Sequence, residues 1–308
     1  MKALVTGGSG FIGSHLVDKL KDSGIDVRVY DGIMPTYRKD IEFYQGSILD
    51  MPALSLAMNG IDVVFHLAAV ADVKDVYNEP HYAESINVRG TVNVLEVVRK
   101  SDIKKFVFGS TTWVYSETEA TKVDERTPLH APTHLYTATK LAGEYYCQAY
   151  SKLYSLDATI LRYGIPYGPR ARDGAVIPIF VKKALAGEPL TIAGNGSQFR
   201  QFVYVEDLAE GNVLALKNTV GGKIYNLDGK EKITIKHIAQ TIQKIISNVK
   251  IEYISGRPGD FSGKVVSSEL AEKELGWEPK ISFEDGLRRY IEWYKEREER
   301  KKVDLEKV

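Results

Sequence analysis

The chain has 308 residues, 44% hydrophobic and 27% charged, which fits one large α/β unit or two smaller domains and excludes a disordered, collagen-like or disulfide-stapled chain. Forty-one basic residues balance 41 acidic ones, and no long Lys/Arg run precedes the tail, so a general nucleic-acid partner is not expected. Cys147 is alone, no run approaches the ~20 apolar residues of a membrane span, and the opening MKALVTGGSGFIG has charge and glycine where a signal peptide is apolar; a soluble, cytoplasmic protein without a membrane partner is expected.

Taken in chain order, short β-branched runs predict strands at Lys2–Thr6, Asp26–Tyr30, Ile41–Tyr44, Asp62–His66, Lys105–Ser110 and Asp157–Tyr163. Helical patterns lie between them near Ile12–Ser23, Leu54–Met58, Ser85–Lys100 and Thr137–Tyr154. The runs Val63-Val64-Phe65 and Phe106-Val107-Phe108 are apolar at consecutive positions, as in strands covered on both faces. Repeated β-α-β units of this kind build an α/β fold with a doubly wound parallel sheet of Rossmann type, whose ligand crevice lies at the carboxyl ends of the strands.

The pattern changes after about residue 165, at Gly164-Ile165-Pro166-Tyr167-Gly168-Pro169. Lys223–Leu227 reads as a strand returning to the main sheet, Thr234–Ser247 as a helix opening on a Thr cap, and a last helix starts near Ser282 and ends in a solvated charge run. The expected division is a nucleotide-binding domain over 1–165, with a returning segment around 201–227, and a smaller α/β substrate domain over 166–308 that closes over the crevice.

Gly7, Gly10 and Gly13 recur at intervals of three between the first strand and the first helix. Glycines there allow a tight turn, close approach of backbone N–H groups to a pyrophosphate, and packing of helix on strand, with the helix N-terminus facing the anion. Asp31 ends the second strand, 18 residues beyond Gly13, where a carboxylate accepts ribose hydroxyls and repels a 2′-phosphate. That favours NAD, although Arg28 and Arg38 lie near enough to recruit NADP.

Tyr136 and Lys140 form Tyr-x-x-x-Lys at the start of a helical pattern, so both fall on one face. An ammonium beside a phenol stabilises the phenolate and lowers a pKa that is otherwise about 10. Such a tyrosine accepts a proton from a sugar hydroxyl, and the polar strand end Gly109-Ser110-Thr111-Thr112 supplies a hydroxyl donor nearby.

Together these segments resemble the extended short-chain dehydrogenase/reductase superfamily, and within it the NAD-dependent sugar-nucleotide epimerase/dehydratase family, over nearly the whole length. Thr6-Gly7-Gly8-Ser9-Gly10-Phe11-Ile12-Gly13 resembles its phosphate loop, Asp31-Gly32 its ribose turn, and His66-Leu67-Ala68-Ala69 the strand end that lines the cofactor. Asn87 with Gly90-Thr91, the Tyr136/Lys140 pair, Leu161-Arg162-Tyr163 with Tyr167-Gly168-Pro169, and Arg200 through Asp207 match further segments in order, as does Arg257-Pro258-Gly259-Asp260. The resemblance implies that Phe11, Ile12, Ser47, Ile48, Ser110, Tyr163 and Pro166 also contact NAD. It implies that Thr111, Thr112, Trp113, Tyr136, Ile165, Arg200, Arg257 and Asp260 face the sugar nucleotide, the two arginines on its diphosphate.

The family's dehydratases and decarboxylases usually carry a Glu just before Val-Tyr-Gly after the fifth strand; here Thr112-Trp113 precede Val114-Tyr115. UDP-hexose 4-epimerases carry Ser or Thr four residues before that Tyr, which is Thr111, and the chain is most like these, the UDP-glucose 4-epimerases. The implied reaction oxidises C4 of a UDP-sugar through Tyr136, Lys140 and Thr111, lets the 4-keto sugar swing about its diphosphate, and returns the hydride to the other face. NAD stays bound throughout. Ile165 stands where the family has an Asn, Ser116 where it has a Gly, and an ungapped match puts Lys264 at the gate for a 2-N-acetyl group, with Gly263 beside it. The UDP-glucose/UDP-galactose pair and its N-acetyl forms are both open. So are a 4-keto-sugar reductase, a dehydratase or decarboxylase with an acid from elsewhere, and a non-catalytic NAD sensor. The histidines show no metal-ligand spacing, so no metal site is expected. Tyr145, Tyr146, Tyr150 and Tyr154 read as packing on one helix, and by family analogy the helices around Ser85–Lys100 and Thr137–Tyr154 pair in a homodimer.

Overall fold

The computed structural model describes residues 1–217, 221–256 and 263–305. The first half runs β1 (Lys2–Thr6), α1 (Phe11–Asp22), β2 (Asp26–Asp31), β3 (Glu42–Gln45), α2 (Met51–Ala57), β4 (Val63–His66), α3 (Val73–Asn78), α4 (Pro80–Glu84), α5 (Thr91–Arg99), β5 (Lys105–Thr111), β6 (Lys122–Val123), α6 (Leu135–Tyr154) and β7 (Ala158–Tyr163). The second half adds β8 (Ile165–Tyr167), α7 (Val176–Leu185), β9 (Leu190–Ala193), β10 (Phe199–Tyr204), α8 (Val205–Leu214), β11 (Lys223–Leu227), β12 (Lys232–Thr234), α9 (Ile235–Ile245), β13 (Ile251–Ile254), β14 (Val265–Val266), α10 (Glu269–Leu275) and α11 (Phe283–Leu305). Among the described residues no helix is long and apolar enough to cross a membrane.

Seven strands form one parallel sheet in the order β11-β7-β5-β4-β1-β2-β3, the doubly wound arrangement the β-α-β alternation predicts. The consecutive apolar residues have their explanation in its two faces. Ala3, Val5, Val63, Phe65 and Val107 pack in one core layer with Leu16, Leu20, Leu208 and Trp277. Leu4, Val64, Phe106 and Phe108 enter the opposite layer with Leu54, Leu95 and Cys147. Each fully buried side chain of this size contributes roughly 1.5–3 kcal/mol, so neither face tolerates a polar alternation.

The expected elements differ from those observed in three informative places. The second helix starts at Met51 because Asp50 caps it, its carboxylate accepting the Ala53 N–H at 3.1 Å, with Pro52 in the first turn. The helix read as Ser85–Lys100 is π-helical over Ser85–Gly90 before α5, where Gly90 meets the Ile48 side chain so closely that a Cβ has no room. In the returning segment, β10 pairs with β8 and β12 in a separate three-stranded sheet, while α8 packs on α1 and β11 extends the main sheet. The predicted Thr234 cap is present, its hydroxyl accepting the His237 N–H at 3.0 Å.

A third core joins Tyr167, Ile177, Phe180, Phe202, Ile238 and Leu287, and Phe11, at the start of α1, packs against it. The glycine-loop helix therefore touches the C-terminal elements directly.

Candidate active site

The glycine loop joins β1 to α1 at the carboxyl edge of the sheet. Gly7 has φ +73°, and a Cβ on it would lie 2.7 Å from the Ala68 nitrogen; a Cβ on Gly13 would overlap the Gly7 carbonyl oxygen. Gly10 caps α1 with no side-chain bond, so the N–H groups of its first turn, at Phe11, Ile12 and Gly13, face outward as donors. Asp31 accepts the Ser9 N–H at 3.0 Å with one oxygen and the Ile33 N–H at 3.1 Å with the other, bringing the acid to the loop. Gly32 follows with open space where a Cβ would be. This cradle fits a dinucleotide. A Gly13→Ala protein should purify without bound NAD and with a lower Tm, since the methyl must push the loop off the helix at a cost of about 1–3 kcal/mol; absorbance of released nucleotide and a thermal melt check this.

Both arginines that left NADP open are committed elsewhere. Arg28 is buried and donates to the Ala57 and Asn59 carbonyls and, at 2.8 Å, to Glu42. Arg38 pairs with Asp40 at 2.8 Å and Asp18 at 3.3 Å.

The strand end after β4 is held by a buried relay. Thr91 donates to the Asn87 carbonyl at 2.7 Å, so it must accept from His66 Nε2–H, 3.0 Å away, and His66 Nδ1 then accepts from the Thr6 hydroxyl at 2.7 Å. Burial keeps this imidazole neutral, lowering its pKa to about 3, with the Lys140 charge adding to the effect. Leu67 N–H donates to the Thr6 carbonyl, Ala68 N–H to the Thr6 hydroxyl, and Asn87 clamps Val70 through both its N–H and C=O. Asn87 also donates to the Thr139 hydroxyl on α6, so its amide positions the segment carrying Leu67, Ala68 and Ala69. Ser47 and Ile48 lie beyond β3, with the Ser47 carbonyl accepting the Tyr30 hydroxyl and Ile48 buried beside Gly90.

At the end of β5, Lys140 Nζ donates to the Gly109 carbonyl at 2.8 Å, which anchors the first turns of α6 two residues from Thr111. Thr111 is buried and its oxygen accepts the Trp113 N–H at 3.2 Å, leaving the O–H to donate. Burial pushes the Tyr136 phenol up to about 12, opposed by the Arg172 guanidinium, and lowers Lys140 to about 8, opposed by Cys147 and Glu144. Desolvation of the phenol outweighs the positive charge near it, and the Gly109 carbonyl fixes where the Lys140 ammonium sits.

The other expected residues divide. Ser110 donates to Glu144 at 2.5 Å and Tyr163 donates to Asn212 at 2.6 Å, so both hydroxyls serve the buried framework. Thr112 is buried, while Trp113 is 37% exposed and stacks obliquely on His134 with ring centroids 5.8 Å apart. Ile165, Pro166 and Arg200 come together in one pocket with Phe202, Val176 and Ile235, and Arg200 donates to the Phe199 carbonyl at 2.7 Å. Arg257 and Asp260 lie outside the described residues. The Lys264 ammonium donates to the Thr118 and Ala120 carbonyls, pinning that loop, and Gly263 is pressed against the Phe199 backbone at φ +103°.

One buried group was not anticipated. Glu144, one turn beyond Lys140, receives both Arg162 Nε (2.9 Å) and Nη2 (2.6 Å), and Arg162 Nη1 donates to the Tyr115 hydroxyl, which donates to Asn226. An arginine inside the mostly apolar strand Ala158–Tyr163 was its available signal, since such a charge requires a carboxylate once the strand is buried.

Comparison with known proteins decides the family. The model of the NAD dependent epimerase/dehydratase family matches residues 3–228. The chain belongs to this family. This epimerase/dehydratase-family enzyme uses NAD. It is 33% identical to the UDP-glucuronate 4-epimerase of Thermodesulfobacterium geofontis, over 95% of this chain and 96% of that one. It is 34% identical to the UDP-N-acetyl-alpha-D-glucosaminuronate decarboxylase of Bacillus cytotoxicus, over 96% and 98%. The solved UDP-glucose 4-epimerase of Thermotoga maritima, crystallised with UDP-glucose, superposes with a TM-score of 0.90 at 32% identity, covering 96% of this chain and 99% of that one.

Proposed function

We propose that this family member is a UDP-hexose 4-epimerase, acting on UDP-glucose/UDP-galactose or their N-acetyl forms. The observation that carries this reading is the end of β5, where Thr111 offers a hydroxyl near the Tyr136/Lys140 helix and the next two residues are Thr112 and Trp113. An eliminating enzyme needs an acid or base there, and neither side chain supplies one.

Bound NAD supplies the site that accepts a hydride from the sugar carbon and gives it back. Gly7, Gly10, Gly13, Asp31 and the Leu67–Ala69 strand end would hold it, with the first part of the chain and α8 and β11 as its framework. Tyr136 takes the proton of the sugar 4-hydroxyl and returns it, Thr111 donates to the same oxygen, and the Lys140 ammonium favours the phenolate. Residues 166–308 hold the UDP part, with Arg200 on its diphosphate and Ile165 at the edge of the same pocket. The exposed Tyr145, Tyr146 and Tyr154 on α6 suit the surface of a homodimer.

Proton NMR of the purified protein with UDP-glucose, then with UDP-N-acetylglucosamine, and with no added cofactor, tests this. Formation of the 4-epimer of either sugar is expected. Failure with both, together with stoichiometric consumption of a reduced nicotinamide on a 4-keto sugar nucleotide, would replace the epimerase by a reductase.

A further inference from the structure

The segment after β8 crosses back onto the nucleotide side. The Pro169 carbonyl is 2.9 Å from His15 Nε2, and Arg170 Nη2 pairs with Asp18 of α1 at 2.7 Å. The Arg170 guanidinium stacks over the Tyr37 ring, 4.4 Å from its centroid. Asp18 also accepts Arg38 at 3.3 Å, so one carboxylate joins the loop after β2 to the segment after β8. Arg172 repeats the crossing, pairing with Asp72 at 2.7 Å.

That loop is stitched to the phosphate loop. Ser9 donates its N–H to Asp31 and its hydroxyl to the Ile33 carbonyl at 2.6 Å. Tyr37 and Arg38 line a small pocket with Gly8, Ser9 and Ser14. Two features of Arg170 point beyond internal packing. Its backbone has φ +68°, a conformation an arginine adopts only when the surroundings impose it. Its Nη1 is buried without a hydrogen-bond partner among the described residues, which costs stability unless a ligand brings an acceptor.

We propose that Arg170, with Asp18 and Tyr37, is a clasp that fastens the 32–40 loop over the dinucleotide and retains NAD between turnovers. A positioning role of this kind suits a reaction in which the hydride returns to the sugar, because only then does release of the cofactor waste the cycle. To that extent the inference rests on the reading above. The clasp joins elements from the two halves of the chain, so holding the loop shut also holds the sugar-nucleotide side against α1.

The test measures release without any sugar present, so its outcome is separate from that of the NMR experiment. Holoenzyme is mixed with excess 1,N6-etheno-NAD and exchange is followed by fluorescence, for wild type, Arg170→Ala and Tyr37→Leu. Removing the guanidinium eliminates both a stacked cation and a partly buried ion pair, so about a tenfold faster release is expected. Tyr37→Leu keeps apolar bulk and loses only the ring face, for roughly a threefold increase. Melting each protein with and without NAD separates the clasp from ordinary packing. The clasp predicts a smaller NAD-dependent rise in Tm for Arg170→Ala. Wild-type release, with Tm lowered equally in the presence and absence of NAD, would overturn the proposal. If Arg170→Ala does not fold, the Tyr37→Leu exchange rate decides alone.

Discussion

Tyr136→Phe should abolish measurable turnover, lowering kcat by roughly 10²–10⁴-fold, while the protein keeps its NAD and its Tm. The ring volume is unchanged and the Lys140–Gly109 bond that anchors the helix does not involve the phenol, so only the proton acceptor is lost. The half-buried phenol is already unwilling to ionise, desolvation pushing its pKa up to about 12. The reaction therefore depends on the cations that favour the phenolate, and the chain supplies one on the same helix in Lys140. A Lys140→Met variant should also lose activity, but with a fall in Tm, because the Gly109 carbonyl is left buried without its donor. The pair of results distinguishes a chemical residue from one that is both chemical and structural. Substrate turnover by Tyr136→Phe at the wild-type rate would remove the catalytic assignment, with the family and the cofactor unaffected.

What was legible in the sequence was whatever depends on local pattern. Consecutive apolar residues such as Val63-Val64-Phe65 can only serve a sheet covered on both faces, and the structure puts alternate members in opposite core layers. Gly7 and Gly13 were legible because their spacing is a backbone constraint, and a Cβ at either position meets main-chain atoms. Side-chain partners across long separations were not legible. Nothing in the sequence near Lys264 shows that its ammonium crosses to Thr118 and Ala120, 146 and 144 positions away. Arg38 likewise looked available to a 2′-phosphate until Asp18 and Asp40 were seen around it. The partner of Lys140 was not legible either: helical spacing gives its face of α6, but the direction of an ammonium on a flexible four-carbon stem is decided by a strong acceptor that the fold brings near, here Gly109 on β5.

The second large effect is expected at Glu144. Its carboxylate and the Arg162 guanidinium are 2% and 3% exposed, and three hydrogen bonds converge on the carboxylate, from Ser110, Arg162 Nε and Arg162 Nη2. Glu144→Ala leaves an uncompensated buried cation, which costs about 3–5 kcal/mol and should lower Tm by roughly 10 °C. Glu144→Gln keeps acceptor geometry on one atom and loses the charge, so a smaller fall is expected. Replacing both partners, as in Glu144→Leu with Arg162→Met, removes the orphaned charge and should recover much of the Tm. Activity should not recover with it. Glu144 is one turn from Lys140, and its bonds tie α6 to β5 and β7 directly beneath Gly109 and Thr111. An apolar pair fills the volume but has no directional bonds, so the helix carrying Tyr136 and Lys140 can rotate or slide by the fraction of an ångström that proton transfer does not tolerate. A double variant with wild-type Tm and a reduced kcat at unchanged KM would identify the ion pair as what sets the register of the catalytic helix. Full recovery of kcat alongside Tm would reduce it to a packing element.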